Sequence, residues 1–532
     1  FSTGIASNRI TGAANPNFAA AQAIDPRVTN SAELVDWIYG GEKGSQYSEF
    51  RNTDLVFDAV LNGSLPWKFW SSANVQWAAG VQFRKDTYAF SSSAFTDNTV
   101  TPCIDTILNG DRTCNGHNGP YGFYGNYIPT HFVGETKAIF GELDASITDD
   151  IQVQLAARYE QIYGGSDTFN PKASVRWQAT DWLALRGSVG TTFRAPTLGN
   201  LSPNPVTVLA VAPVTSAYTP FDTFGNGGQP AGVVGLSPEK ATAFNIGGIV
   251  TLDDFTATLD YWHFDFSNPL AAESAGSILT AIFPNGAGGA NNCANPAYAA
   301  LIARVTFANG ACAATVGGVN NVARVRVNFI NQGPQQTHGI DLSMQYMMHD
   351  MFDTGDTLTA RIDGTYNINY RVSGQTIEGI QTFGKYDAAG GINIGVTGPG
   401  SLPHVKGQFN LNWADGPFNV RGTMNLVGGM RDFNNPTRAA IFTIPQNGFC
   451  TAISATCTAL RTSPFGASVA PWITYDLAFQ YIMEEENLQF NLTIDNITGK
   501  QPPFSRTDYS YDAFTANPYG RTIKFGVTAN VN

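Results

Sequence analysis

Apolar and polar residues alternate with a period of two along most of the chain. In the stretch Leu358–Val372, Leu358, Ala360, Ile362, Gly364, Tyr366, Ile368 and Tyr370 form one series, and Thr359, Arg361, Asp363, Thr365, Asn367, Asn369 and Arg371 form the other. Such alternation predicts a β-strand with one apolar and one polar face. The same pattern recurs at Val75–Arg84, Ile151–Glu160, Leu183–Arg194, Val405–Trp413, Phe418–Leu426, Ile473–Tyr481 and Ile523–Val531. It predicts about 15 strands, starting near residues 52, 73, 133, 151, 170, 182, 239, 255, 335, 357, 403, 417, 471, 488 and 519. Within Phe255–Phe266 the aromatic residues change face at Trp262, which predicts a bulge there. These strands exceed the roughly 5–6 residues usual in globular sheets.

The connections alternate as well. Thr148–Asp150, Ala179–Asp181, Asp253-Asp254, Asp415-Gly416 and Glu484–Asn487 are tight, whereas 89–131, 195–238, 269–334, 373–402, 431–470 and 498–518 are long. Trp67, Trp70, Trp177, Trp182, Trp413 and Phe418 stand beside tight turns; Phe83, Tyr88, Tyr159, Tyr261, Tyr370, Trp472 and Tyr475 stand at long-loop ends. Short turns on one side, long loops on the other and an aromatic girdle at each level predict a transmembrane antiparallel β-barrel whose apolar face meets outer-membrane lipid. A soluble sandwich also produces alternating strands, but not all three features together.

Composition agrees. Charged residues make up 14% of the 532, against a usual value of about 25%. No apolar run is long enough for a transmembrane helix. The mean hydropathy of −0.11 looks soluble, yet a membrane barrel looks the same because half of each strand is polar. A net charge of −12 argues against nucleic acid as a partner.

The six cysteines fall in long loops as neighbours, which makes Cys103–Cys114, Cys293–Cys312 and Cys450–Cys457 the economical disulfides among 15 possible connectivities. A metal site is the rival reading, and only His117 lies near a cysteine pair. No HExxH, GxSxG, Walker or GxGxxG signature is present, so neither an enzyme nor a cofactor is expected. Asp350, Asp353 and Asp356 are only a loose likeness of a calcium loop, and no metal is expected.

The alternation predicts that Arg158, Glu160, Arg176, Arg186, Asp341, Arg361, Asp363, Arg421 and Asp476 point into the lumen, where each charge needs a partner. Candidate ligand-binding residues are Tyr121, Phe123, Tyr124 and Tyr127 on a glycine-rich loop, Tyr509, Tyr511 and Phe514 on the last long loop, and Arg194 and Asn369 near the outer mouth of the lumen. Aromatic platforms with amide and hydroxyl donors suit a small ring-bearing ligand such as a sugar or a siderophore.

The last strand runs from a long loop toward the tight-turn side, and counting back makes the strand near residue 52 run the same way. Residues 1–50 are therefore expected to be an outer loop segment, and 51–532 the C-terminal part of a barrel with further strands before it.

NPKASVRWQATDWLALRGSVGTTFRAPTLGNLSP (Asn170–Pro203), LSPEKATAFNIG (Leu236–Gly247), LDYWHFDFSNPL (Leu259–Leu270), THGIDLSMQY (Thr337–Tyr346) and the terminal NLTIDNITGKQPPFSRTDYSYDAFTANPYGRTIKFGV (Asn491–Val527) resemble TonB-dependent outer-membrane receptors. The resemblance spans nearly everything after about residue 50 and is specific through the segments jointly. It implies a 22-stranded barrel closed by an N-terminal plug, in which the first strand here is number eight. Plug, TonB box and about seven strands would then lie outside this chain, on the same or a companion polypeptide. It further implies a bacterial outer-membrane location, a plug that pairs with the lumen charges, and energy from a TonB–ExbB–ExbD system reaching the receptor through that plug. The family usually ends in an aromatic residue, whereas this chain ends Val531-Asn532, so the expectation is either that a few residues follow or that Phe525 serves in part. Two function classes follow: an energised receptor for a scarce ligand (siderophore, carbohydrate or similar), or a passive porin-like channel or structural, adhesive barrel.

Overall fold

The computed structural model describes residues 48–103, 106, 110, 112–113, 128–203, 206–212, 214–215, 218–226, 235–393, 399–432, 468–485, 487–505 and 509–529. The chain divides into a small unit, Phe1–Arg51 with Ala89–Thr130, and a large one, Asn52–Tyr88 with His131–Asn532. In the small unit the Phe50 and Phe90 rings meet at 4.6 Å, and Thr101 Oγ1 donates to Ala94 O at 2.9 Å to close a turn. The expected segment 1–50 lies almost wholly outside the described residues.

One long sheet dominates. Its strands are β1 (Ser48–Ser64), β2 (Gln76–Ser92), β3 (Thr130–Ser146), β4 (Ile151–Ile162), β5 (Ser166–Thr180), β6 (Leu183–Arg194), β7 (Glu239–Leu252), β8 (Phe255–Ser267), β9 (Gln335–His349), β10 (Thr357–Val372), β11 (Val405–Asp415), β12 (Phe418–Val427), β13 (Trp472–Met483), β14 (Leu488–Asp495) and β15 (Thr522–Ala529). They pair in chain order, and Tyr386–Asp387 adds a short piece beside β10. Every expected strand is present, each starting within a few residues of its expected position. The tight connections close as their residues require: Asp253 takes a φ of 43° between β7 and β8 and Gly416 one of 49° between β11 and β12, a left-handed conformation that aspartate and glycine adopt at hairpin turns.

The register fixes which side chains share a face, because paired residues in neighbouring strands point the same way. Ile246, Leu259, Ile362, Leu411, Leu477, Phe525 and their ranks make one face. Ile246 is 63% and Leu259 55% exposed in the isolated chain. A contiguous apolar belt of this extent exceeds what water-soluble monomers tolerate, and is what a lipid-facing wall needs. Among the described residues no helix is long and apolar enough to cross a membrane.

Two local expectations fail. β8 runs without a bulge, in unbroken register with both neighbours. Trp262, Phe264 and Phe266 instead share the polar face with Asp260. The irregularity lies one pairing along, where His338↔Asn369 is followed by Gly339↔Asn367. The extra residue in β10 inverts its parity. Below it Asp363, Thr365 and Asn367 share the polar face; above it Asn369 and Arg371 stand on the other, and Tyr370 takes the polar one. Trp472, at the rank of Val427 and Lys406, also falls on the polar face, so Tyr370 and Trp472 do not belong to an outer girdle.

The long connections are not simple loops. Leu270–Ala272, Val322–Asn331, Tyr218–Phe224 and Val206–Val211 form a second sheet in that order, with Val305–Phe307 also on Val322–Asn331. Val325–Asn328 pairs in parallel with Phe221–Phe224. The helix Ala275–Ile282 is capped by the Ser274 hydroxyl, which accepts from Ser277 N at 3.2 Å. Its Ala275, Ile278, Leu279 and Ile282, at amphipathic spacing, bury against Phe283, Leu301, Val322, Val325 and Ile377. Arg324 and Asp222 form a two-pronged ion pair inside this loop subdomain, at 2.6 Å on each prong. The disulfide Cys293–Cys312 staples the connection, as expected. Cys103 is also disulfide-bonded; its expected partner Cys114, and Cys450–Cys457, lie outside the described residues.

Candidate functional site

The polar face of the wall carries all nine residues expected to line a lumen, as the register from β4 to β13 shows. Most are engaged within the wall. Arg158 pairs with Glu160 at 2.6 Å and donates to Gln82 Oε1 at 2.7 Å. Arg361 grips Asp363 at 2.7 and 2.8 Å, and Asp363 also accepts from Ser343 Oγ at 2.8 Å. Thr365 donates to Asp341 at 2.7 Å, Asn425 to Asp476 at 2.6 Å and Arg176 to Gln178 at 2.7 Å. Arg421 has no ion pair among the described residues.

Arg186 reaches Asp260 across an intervening strand, at 2.8 Å through Nε and 2.5 Å through Nη2. The residue between them at the same rank is Gly247. An added Cβ there would overlap Asp260 Oδ1 and lie 2.7 Å from Leu259 O, so glycine holds the gap open.

At the long-loop ends of β6–β10 the polar face opens into a cavity of ≈ 500 Å³, lined by Arg194, Glu239, Phe266, Leu270, Gln332, Gln335 and Tyr370 among others. Arg194 pairs with Glu239 at 2.7 Å and donates to Leu270 O at 3.0 Å, while Leu270 N donates to the same glutamate at 2.9 Å. The pair thus latches the first strand of the loop subdomain to the wall and satisfies both charges. Tyr370 Oη donates to Gln335 Oε1 at 2.9 Å. Among the described residues the buried Gln332 Nε2 has no hydrogen-bond partner, which leaves its amide hydrogens for a ligand or water.

Of the two residues expected together at the mouth, the structure puts Arg194 on the cavity and Asn369 elsewhere. Asn369 is buried on the opposite face, where its amide nitrogen and His338 Nε2 are 3.3 Å apart and His338 stacks on His263 at 5.6 Å. The bulge in β10 is the reason: it moves Asn369 one residue out of phase. Tyr509 and Tyr511 stand ring to ring at 6.0 Å, and Tyr509 and Phe514 are strongly exposed. Tyr121, Phe123, Tyr124 and Tyr127 lie outside the described residues. Sequence reasoning missed Glu239, Gln332 and Gln335. Arg194 and Glu239 stand 45 positions apart in the sequence, and only the strand register could have revealed their pairing.

Two of the acids that only loosely resemble a calcium loop, Asp350 and Asp356, hold the turn itself. Asp356 accepts from Phe352 N at 2.9 Å and from Trp413 Nε1 at 3.0 Å, and Asp350 accepts from Gly355 N at 2.8 Å.

The fold has solved counterparts. A mutant ferric enterobactin receptor (PfeA) from Pseudomonas aeruginosa, in complex with enterobactin, superposes with a TM-score of 0.54 at 14% identity, over 90% of this chain and 54% of that one. The siderophore receptor PirA from Acinetobacter baumannii gives 0.54 at 14% identity, over 90% and 55%. The chain therefore spans about half the length of these solved proteins. No curated protein matches it. The family model described as TonB dependent receptor-like, beta-barrel matches residues 6–497, and the chain belongs to that family.

Proposed function

We propose that this chain is the wall and ligand mouth of a bacterial outer-membrane receptor that takes up a scarce small molecule with energy from the TonB–ExbB–ExbD system. The observation that carries this reading is the family match over residues 6–497. Three features support it: the two-faced wall, the cavity between β6 and β10, and a folded loop subdomain latched beside it through Arg194 and Glu239. The energising partner would act through a plug supplied by the same or a companion polypeptide, and the nine polar-face residues are the surface it would meet. The reading assigns transport and no catalysis. The siderophore receptors among the solved counterparts make a siderophore one candidate ligand, with a carbohydrate the other.

One observation favours a passive pore instead. Arg158–Glu160, Arg186–Asp260 and Arg361–Asp363 are satisfied inside the wall, as in a channel filled by water. The deciding experiment measures uptake of a labelled ligand by cells carrying the complete protein, with and without a protonophore. Energised import predicts that accumulation above the external concentration collapses with the proton gradient. Equilibration at an unchanged rate sinks the receptor reading in favour of the pore.

A further inference from the structure

β8 presents Trp262, Phe264 and Phe266 at alternate positions of the polar face, a row of rings where neighbouring strands carry polar or small groups. Ring centroids are 5.9 Å apart from Trp262 to Phe264 and 6.1 Å from Phe264 to Phe266, the latter two nearly parallel at 15°. The flanking residues leave the rings room. Asn245 and Gly339 stand beside Trp262, Ala243 and Thr337 beside Phe264, and Ala241 and Gln335 beside Phe266. A Cβ on Gly339 would collide with the Trp262 ring and would lie 2.6 Å from Tyr366 O, so glycine lets the indole lie across β9.

The polar face around the row is uncharged; Arg371, Lys385, Asp265 and Asp387 gather instead around a separate cavity that Phe266 also touches. Over these three ranks, from β6 to β10, the polar face offers Ser188, Thr192, Asn245, Thr337, Asn367, Tyr370 and Gln335, with alanine, glycine and valine between. Charges appear only at the two ends of the row. The Arg186–Asp260 pair and Asp341, which accepts from Thr365 Oγ1 at 2.7 Å, close the lower end, and the Arg194–Glu239 pair closes the upper. Among the described residues the nearest cation without an ion pair at these ranks is Lys172, on β5 and three strand pairings from Phe264. Phe266 opens directly into the mouth cavity, where the buried Gln332 Nε2 has no partner among the described residues while its Oε1 accepts from Gln335 Nε2 at 3.4 Å.

Apolar ring faces flanked by amides and hydroxyls, without a free charge, match a ligand that is neutral, flat on one side and rich in hydroxyl groups. An anionic metal complex would instead demand unpaired cations. We propose that β8 is a saccharide track: successive sugar rings of a neutral oligosaccharide stack on Phe266, Phe264 and Trp262 as they pass from the mouth cavity into the wall. The proposal rests on the receptor reading above and narrows its ligand class.

The test is calorimetric titration of the complete, folded protein in detergent with maltose through maltoheptaose, cellobiose through cellohexaose, and a ferric tris-catecholate complex. One of the sugar series binds, with affinity rising as units are added up to three or four and then levelling. Phe264→Ala and Phe266→Ala each weaken the longer sugars about tenfold, whereas Phe264→Tyr, which keeps a ring, retains binding. Heat-dependent gel mobility verifies that each variant is folded. Failure of every sugar to bind, absence of length dependence, or indifference to both alanine variants overturns the track. Binding of the ferric complex with no sugar binding overturns the track and leaves the receptor reading standing. Sugar binding that needs the rings, with uptake indifferent to a protonophore, supports the track and removes energised import.

Discussion

Adding one methyl group at Gly247 should cost more than removing the ion pair beside it. Gly247 lies between Arg186 and Asp260 on the central strand of three. The Arg186 side chain is 42% exposed and Asp260 14%, so the pair itself is worth only about 0.2–1 kcal/mol after solvent screening. A Cβ at 247 displaces Asp260 and also meets the Leu259 carbonyl at 2.7 Å. A backbone atom cannot swing aside, so β8 must shift, at a cost of about 1–3 kcal/mol. Against this, alanine loses less chain entropy than glycine, which returns about 0.5–1 kcal/mol. With the ion pair lost as well, the net expectation is a loss of about 2 kcal/mol for Gly247→Ala, within a range of about 0.2–3.5, and of at most about 1 kcal/mol for Asp260→Ala. The double variant should be hardly worse than Gly247→Ala alone, because the ion pair is already broken there. Gly422→Ala is the control: nothing lies within 4 Å of its added Cβ, so it should be neutral or stabilising. Urea unfolding in lipid or detergent, followed by tryptophan fluorescence, measures all four. Wild-type stability for Gly247→Ala would refute the reasoning, as would a double variant whose losses simply add.

In the loop subdomain, Arg324→Ala strands Asp222 with its side chain 9% exposed; the local loss should be about 3–5 kcal/mol, read as faster hydrogen exchange across 218–224 and 322–331. The paired change Arg324→Met with Asp222→Leu should be far milder. Replacing Cys293 and Cys312 by serine opens a loop of sequence separation 19 and should cost about 3 kcal/mol, seen as new proteolytic cleavage between them. Burial holds the Glu273 carboxyl above the ordinary glutamate range, with Arg304 pulling the other way. The folded subdomain thus binds that proton more tightly than the unfolded chain. Its stabilising contribution is full below the ordinary glutamate pKa and declines as pH rises toward the raised folded value. Glu273→Gln should flatten that slope in hydrogen exchange measured against pH, and an unchanged slope would dismiss Glu273 as its source.

The wall was legible because each strand repeats one physical demand, apolar residues toward lipid and polar ones away, at a period readable from neighbouring residues. The loop subdomain was not. Its ion pair joins residues 102 apart, and its parallel pairing leaves no local period. The bulge in β10 was hidden for a different reason. Asn367 and Asn369 are both polar, so the alternation looks intact although the faces exchange between them. Trp262 misled in the opposite sense: an aromatic residue on the polar face imitates a change of phase where β8 has none. The candidate site followed suit. Arg194 stands on the polar face, as its unbroken strand predicts, while the bulge carries Asn369 to the other face.

A nitroxide scan along Thr357–Val372, in the protein reconstituted into bilayers, tests the two-faced wall most directly. Oxygen collects in lipid and a nickel chelate in water, so collision with each reports the face on which a residue stands. From 358 to 366 the account predicts oxygen maxima at even positions and nickel maxima at odd ones, with the phase inverted beyond the 367–369 bulge so that 370 sides with water. Alternation that runs unbroken to 372 would contradict the register. Loss of alternation altogether, with both faces open to nickel, would contradict the membrane wall itself.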